Sequence, residues 1–257
     1  MRVLGNLFGA RKGGFGRLLI LAYSRAGSAQ APASQAGPEP GRDAVDVDEF
    51  TWQMEQIAAR YQPIVLSRLM GHLGGKKPLT GPQICVCLQP DSRDSFRATS
   101  AVLRRVKLPA TCFVAFDAFG AAGQDVAAQS WSDLNWDDVR ELADAGADIG
   151  HLMHAGPKLA VMSSSQRRSQ LSALRSRVSL ESGNEVHAFA YSGDGTGADK
   201  SLLYDAAIAG FSLGVSDAVG INALRPISPL TLRRTSVAPD LTRAGFASLL
   251  DALERGD

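Results

Sequence analysis

Residues 84–96 read ICVCLQPDSRDSF, and the parsing of that stretch decides the fold. Ile84, Cys85, Val86, Cys87 and Leu88 form an apolar run without polar alternation, as in a strand covered on both faces. Gln89, Pro90 and Asp91 stop it. A helix is expected from Ser95 to Val106, with Phe96, Ala101, Val102 and Arg105 spaced for one face. A buried strand that ends in a polar loop and feeds a helix is the repeating unit of an α/β fold. In α/β barrels the C-terminal end of such a strand is where chemistry is placed. Catalytic carboxylates are therefore sought here first, and the strand ends on Gln89 and Pro90.

The same unit repeats on both sides. Upstream, Phe50, Met54, Ile57, Ala58 and Tyr61 make a helical stripe behind a cap at Asp46 or Asp48, and Pro63 ends it. Ile64-Val65-Leu66 is expected as a short strand, followed by a helix from Ser67 through Leu73. Downstream, strands are expected at 110–114, 148–150, 186–191, 211–215 and 230–234. Helices are expected between them, from Trp131 to Ala145, from the Ser163 cap to Glu181, and from Lys200 to Ala209, with a last one from Thr242 to Leu253. Residues 1–16 read as a basic arm, and residues 17–257 as a single barrel domain with a Gly/Pro/Ser-rich loop at 26–45.

The 257-residue chain is 45% hydrophobic and 21% charged with formal net charge +1. That balance is globular, and without a basic block beyond the arm, nucleic acid is not expected as a partner. Cys85, Cys87 and Cys112 lie in expected core strands and are read as small buried side chains, with no disulfide framework. Asp133, Asp137 and Asp138 are read as helix capping, and Arg167, Arg168, Arg175 and Arg177 as a solvated helix face. Leu18 to Tyr23 after Arg11, Lys12 and Arg17 imitates a signal peptide, but the run is shorter than a usual apolar h-region and is read as the first strand. A cytoplasmic protein is the expectation, with export if residues 1–31 act as a signal. No stretch is long enough to span a membrane as a helix.

Several segments together resemble the polysaccharide deacetylase family, the NodB-homology domain. Val102-Leu103-Arg104-Arg105 and Leu108 to Val114 are similar to the family's "VLRR..GVPATFFV". Residues 135–150, NWDDVRELADAGADIG, are similar to "LSWDEVREMAAAGHEIGSH", and Ala188 to Gly195 resembles the "FAYPYG" segment. Leu18 to Arg25 resembles the first strand and Leu230 to Arg234 the late "LPR" strand, so the likeness runs from about Leu18 to Leu253. It implies a distorted (β/α) barrel. It also implies removal of an acetyl group from a sugar by metal-assisted hydrolysis, with one Asp as base and another Asp plus two His as metal ligands.

In the ungapped register of that resemblance, Gln89 stands at the base position and Pro90 at the metal-binding Asp. Leu152 and Gly156 stand at the two His positions. Proline, leucine and glycine carry no side-chain ligand atom, and glutamine is no base at neutral pH. Ser24 stands where relatives keep a His, Arg25 is retained, and Tyr191 belongs to the segment that shapes the groove. The resulting expectation is a non-hydrolytic protein without a metal cofactor. It would bind a polysaccharide or a biosynthetic protein partner in exopolysaccharide assembly. One alternative is an active deacetylase with a shifted site of Asp91, His151 and His154 holding zinc or another divalent metal. Against it, a one-residue shift on a strand turns a side chain to the other face. Another alternative is a structural interaction protein with a vestigial groove.

Overall fold

The computed structural model describes residues 16–23, 45–90, 93–114, 135–153, 162–191 and 200–255. Apart from Gly16 and Val45, the arm at 1–16 and the loop at 26–45 lie outside these residues, as do Ser24, Arg25, Asp91, His154 and Gly156.

The chain order is β1 (Arg17–Tyr23), α1 (Val47–Arg60), α2 (Arg68–Leu73), β2 (Pro82–Leu88), α3 (Arg93–Val106), β3 (Thr111–Val114), α4 (Trp136–Asp144) and β4 (Asp148–Met153). It continues with α5 (Ser164–Ser182), β5 (Ala188–Tyr191), α6 (Lys200–Ile208), β6 (Leu213–Ser216), β7 (Asn222–Ala223), β8 (Leu232–Arg233), β9 (Thr235–Ser236) and α7 (Arg243–Arg255). The helices begin where the chemistry provides a cap. Asp46 accepts the Asp48 amide, while Asn135 with Asp138 and Ser163 with Gln166 make reciprocal capping boxes. α5 ends at Gly183, whose φ of 68° is the left-handed conformation that glycine adopts without strain.

The sheet runs β7-β1-β2-β3-β4-β5-β6-β8, with β9 also paired to β1. All neighbours are parallel except β7, which runs antiparallel to β1. Closure comes from one short stretch: Leu232 and Arg233 pair with β6, and Thr235 and Ser236 pair with β1. The result is a nearly closed, distorted (β/α) barrel whose strand C-termini share one mouth.

Side chains alternate across its wall. Leu18, Ile20, Ala22, Cys85, Cys87, Phe113, Ala188, Ala190, Leu213, Val215 and Leu232 fill the inside. Leu19, Leu21, Ile84, Val86, Cys112, Ile149, Met153 and Phe189 face out beneath the helices. The narrow interior is met with small residues. At Gly150 a Cβ would stand 2.5 Å from the Phe113 ring, and on the outer face at Gly214 it would stand 2.4 Å from the Leu230 carbonyl. The three cysteines are free and buried.

Two sequence expectations are corrected. Residues 64–66 form no strand. Ile64 N–H donates to Ile84 O at 2.9 Å, and the chain then turns into α2. The apolar character is real but serves another end, because Ile64, Leu66 and Leu69 plug the barrel from below. The plug is stitched by side chains: Leu66 N–H donates to Thr111 Oγ1 at 3.0 Å and Ser67 N–H to Asp148 Oδ2 at 2.9 Å. The arginine face of α5 is likewise not simply solvated. Arg167 is buried, and its Nε donates to Asp205 Oδ2 of α6 at 2.8 Å, while Arg168 Nε donates to Asp205 Oδ1 at 2.6 Å. Burial acts to raise the Asp205 carboxyl pKa, but hydrogen bonds from Arg168, Arg167 and Ser164 hold it below the usual carboxylate value. No helix among the described residues is long and apolar enough to cross a membrane.

Thr111→Val deprives the buried Leu66 N–H of its acceptor and is expected to lower stability by about 2 kcal/mol in urea denaturation. Asp205→Asn breaks the α5–α6 clamp and is expected to lower it by about 3 kcal/mol near neutral pH. A depressed folded-state pKa contributes stability above the unfolded value of 3.8 that is lost as pH falls through the folded value. The gap between parent and Asp205→Asn should therefore narrow on acidification below about pH 4.

Candidate functional site at the barrel mouth

The mouth is built from the residues that follow each strand on the inner face. On β2 the inward series Cys85, Cys87 continues to Gln89, whose N–H extends the ladder by donating to Tyr23 O at 2.8 Å. The Gln89 side chain reaches the mouth half-buried, and its Nε2 is buried without a hydrogen-bond partner among the described residues. Pro90 beside it is buried. On β4, Leu152 packs against the inner cluster. Asp217 follows Val215 on β6, and Arg234 lies between β8 and β9, at the closure of the barrel.

Arg234 is the charged centre of this mouth. It is 4% exposed. Its Nε donates to Asp217 Oδ1 at 2.8 Å, and its Nη2 donates to the same oxygen. Its Nη1 is buried with no hydrogen-bond partner among the described residues. Its charge is felt at Cys87 and Tyr191, where it opposes the upward push that burial gives both groups. Two donors without partners among the described residues, Gln89 Nε2 and Arg234 Nη1, thus stand just past the end of β2 and in the seam between β8 and β9. Buried donors without acceptors are costly and uncommon.

The other sequence-predicted residues fall elsewhere. His151 shares the outward face of β4 with Ile149 and Met153, and its ring stacks on Phe211 with centroids 6.4 Å apart. It therefore lies on the opposite side of the sheet from Gln89. Its two partners in the shifted site, Asp91 and His154, are outside the described residues. Tyr191 also packs outward, beside Phe189, and its hydroxyl donates to Leu230 O at 3.4 Å. It serves as a core aromatic of the outer layer. Among the described residues no three His, Cys, Asp or Glu side chains gather to hold a metal ion. At the positions where the resemblance implies ligands, Pro90 and Leu152 carry no donor atom, so the residues present do not fit that metal.

Sequence reasoning missed the Arg234–Asp217 pair. The signal was available in parity: Asp217 sits two residues beyond Val215 and Arg234 two beyond Leu232, so each extends an inward series.

No family model matches this chain. No curated protein matches it either. Solved structures do. The Streptococcus pyogenes deacetylase PplD, solved in complex with acetate, superposes with a TM-score of 0.70 at 18% identity, covering 94% of this chain and 100% of its own. A de-N-acetylase from Aggregatibacter actinomycetemcomitans follows at 0.68 and 13%, covering 90% and 99%. IcaB from Ammonifex degensii gives 0.66 and 18%, covering 94% and 98%. At these identities the likeness establishes the fold, and it is the deacetylase-type barrel that the sequence resemblance implied.

Gln89→Met replaces an unsatisfied donor by an apolar side chain of similar size. It is expected to leave the free protein as stable as the parent or more stable, by up to about 1 kcal/mol in thermal and urea unfolding.

Proposed function

We propose that this chain is a non-hydrolytic protein on the polysaccharide-deacetylase fold, binding a glycan at the barrel mouth as part of exopolysaccharide assembly. The observation that carries this reading is Gln89. It occupies the strand end that the resemblance assigns to the catalytic base, it continues the inward series of Cys85 and Cys87, and its amide nitrogen is buried with no hydrogen-bond partner among the described residues. A primary amide cannot take a proton from water at neutral pH, but it donates and accepts hydrogen bonds without charge. Sugar hydroxyls and acetamido carbonyls are acceptors of the kind that Gln89 Nε2 and Arg234 Nη1 lack. Asp217 neutralises Arg234, so the pair offers hydrogen bonding with little net charge, which suits a neutral saccharide.

Binding of N-acetylated and de-N-acetylated hexosamine oligomers, followed by saturation-transfer NMR and calorimetry, tests the proposal. Saturable binding that Gln89→Met weakens about tenfold, as loss of one buried hydrogen bond predicts, supports it. Release of acetate, together with one tightly held metal ion per chain, would overturn it in favour of an active deacetylase. Absence of binding to every oligomer would overturn it in favour of an interaction protein with a vestigial groove.

A further inference from the structure

A second concavity lies on the other side of the barrel wall. α3 and α4 stand apart over the outer face of β3 and are tied across the gap by Arg93 to Asp138 at 2.8 Å and Arg104 to Glu141 at 3.4 Å. At the C-terminal ends of the two helices, beside the Arg104 tie, is a cavity of about 320 Å³, within the usual size range of small-molecule sites. Leu103, Leu108, Cys112 and Leu142 form its apolar walls. It belongs to the sheet–helix layer and is separated from the barrel interior by β3 itself.

Three features of the lining are not explained by packing. Ser100 is 7% exposed, and its buried Oγ has no hydrogen-bond partner among the described residues. Arg104 and Lys107, both exposed, line the cavity without any carboxylate in the lining, and the pair of Arg104 with Glu141 is an exposed one that contributes little. Lys107 also sits at the C-terminal end of α3 with φ of 56°, the left-handed conformation that ordinarily selects glycine there. Leu108 N–H donates to Leu103 O at 3.0 Å, closing the turn that forces this geometry. A lysine held where glycine would be less strained is an outlier of the kind that gathers at ligand sites.

We infer that the cavity between α3 and α4 binds a small amphipathic anion, a carboxylate on a short aliphatic body. The aliphatic part fills the space between Leu103, Leu108 and Leu142. The Ser100 hydroxyl and the Lys107 and Arg104 side chains are the donors for the carboxylate. The excess of cationic over anionic groups at the lining excludes an aliphatic ammonium of the same length. This site is independent of the glycan reading, since it lies on the opposite face of the sheet.

The test titrates the full chain with octanoate, octylammonium and octanol, recording amide chemical shifts and binding heats. Octanoate is expected to bind saturably and to shift amides of Ser100, Leu108 and Ala147 without moving Gln89. Lys107→Gly removes both the cation and the strain; it should leave the fold at least as stable and weaken octanoate about tenfold, the loss of one charge-assisted hydrogen bond. Equal binding of octylammonium or octanol would overturn the assignment of an anion. Unchanged octanoate affinity in a folded Lys107→Gly variant would overturn the role of that lysine. Absence of saturable shifts at those amides would overturn the site.

Discussion

The strict alternation of side chains across a nearly closed parallel wall governs everything else in this molecule. Each strand offers one residue to a narrow interior and the next to the helix layer. Around the middle of the interior Ala22, Cys85, Cys87, Ala188 and Ala190 accompany one aromatic side chain, Phe113, which leaves Gly150 as the residue able to face it. The outer layer takes the bulk instead: Phe50, Met54, Phe96, Phe189, Phe211 and Phe246 are buried there. Because the barrel closes through Leu232–Ser236, the same alternation carries an arginine inward at the seam. Arg234 is buried by the topology, and Asp217 on β6 offsets its charge.

Much of this was legible in the sequence, for reasons that can be named. Apolar runs bounded by polar loops marked β1, β2, β3 and β5, and cap chemistry marked the starts of α1 and α5. These are local signals, and local signals survive folding. The failures are long-range. Ile64-Val65-Leu66 has the composition of a strand, but the edge it would need is not offered. After one bond from Ile64 N–H to Ile84 O, Leu66 N–H takes the Thr111 hydroxyl and Ser67 N–H the Asp148 carboxylate, 45 and 81 residues away in the chain. Arg167 reads as a surface cation until Asp205 arrives from α6, 38 residues later. Burial of an ion pair is a property of two segments and cannot be read from one.

The mouth shows the same division. The direction in which the strand-end residues point is carried by the same alternation. Parity settles direction. Leu152 faces the inner cluster while His151, one residue before it, stacks on Phe211 in the outer layer. The pairing of His151 with Phe189 holds that imidazole on the outer face, while Asp91 and His154, its companions in the shifted site, lie outside the described residues.

The departures from good packing are therefore informative by their location. A mouth that had become purely structural would tend toward apolar side chains, because each buried donor without an acceptor lowers stability. Gln89 and Arg234 instead keep donors there, while the plug at the opposite end is fully stitched by Thr111 and Asp148. Among the described residues, buried donors without partners stand at the open end of the barrel, at Gln89 and Arg234, and none in the plug at the closed end. In folded proteins such breaches concentrate where a ligand completes what the chain leaves undone.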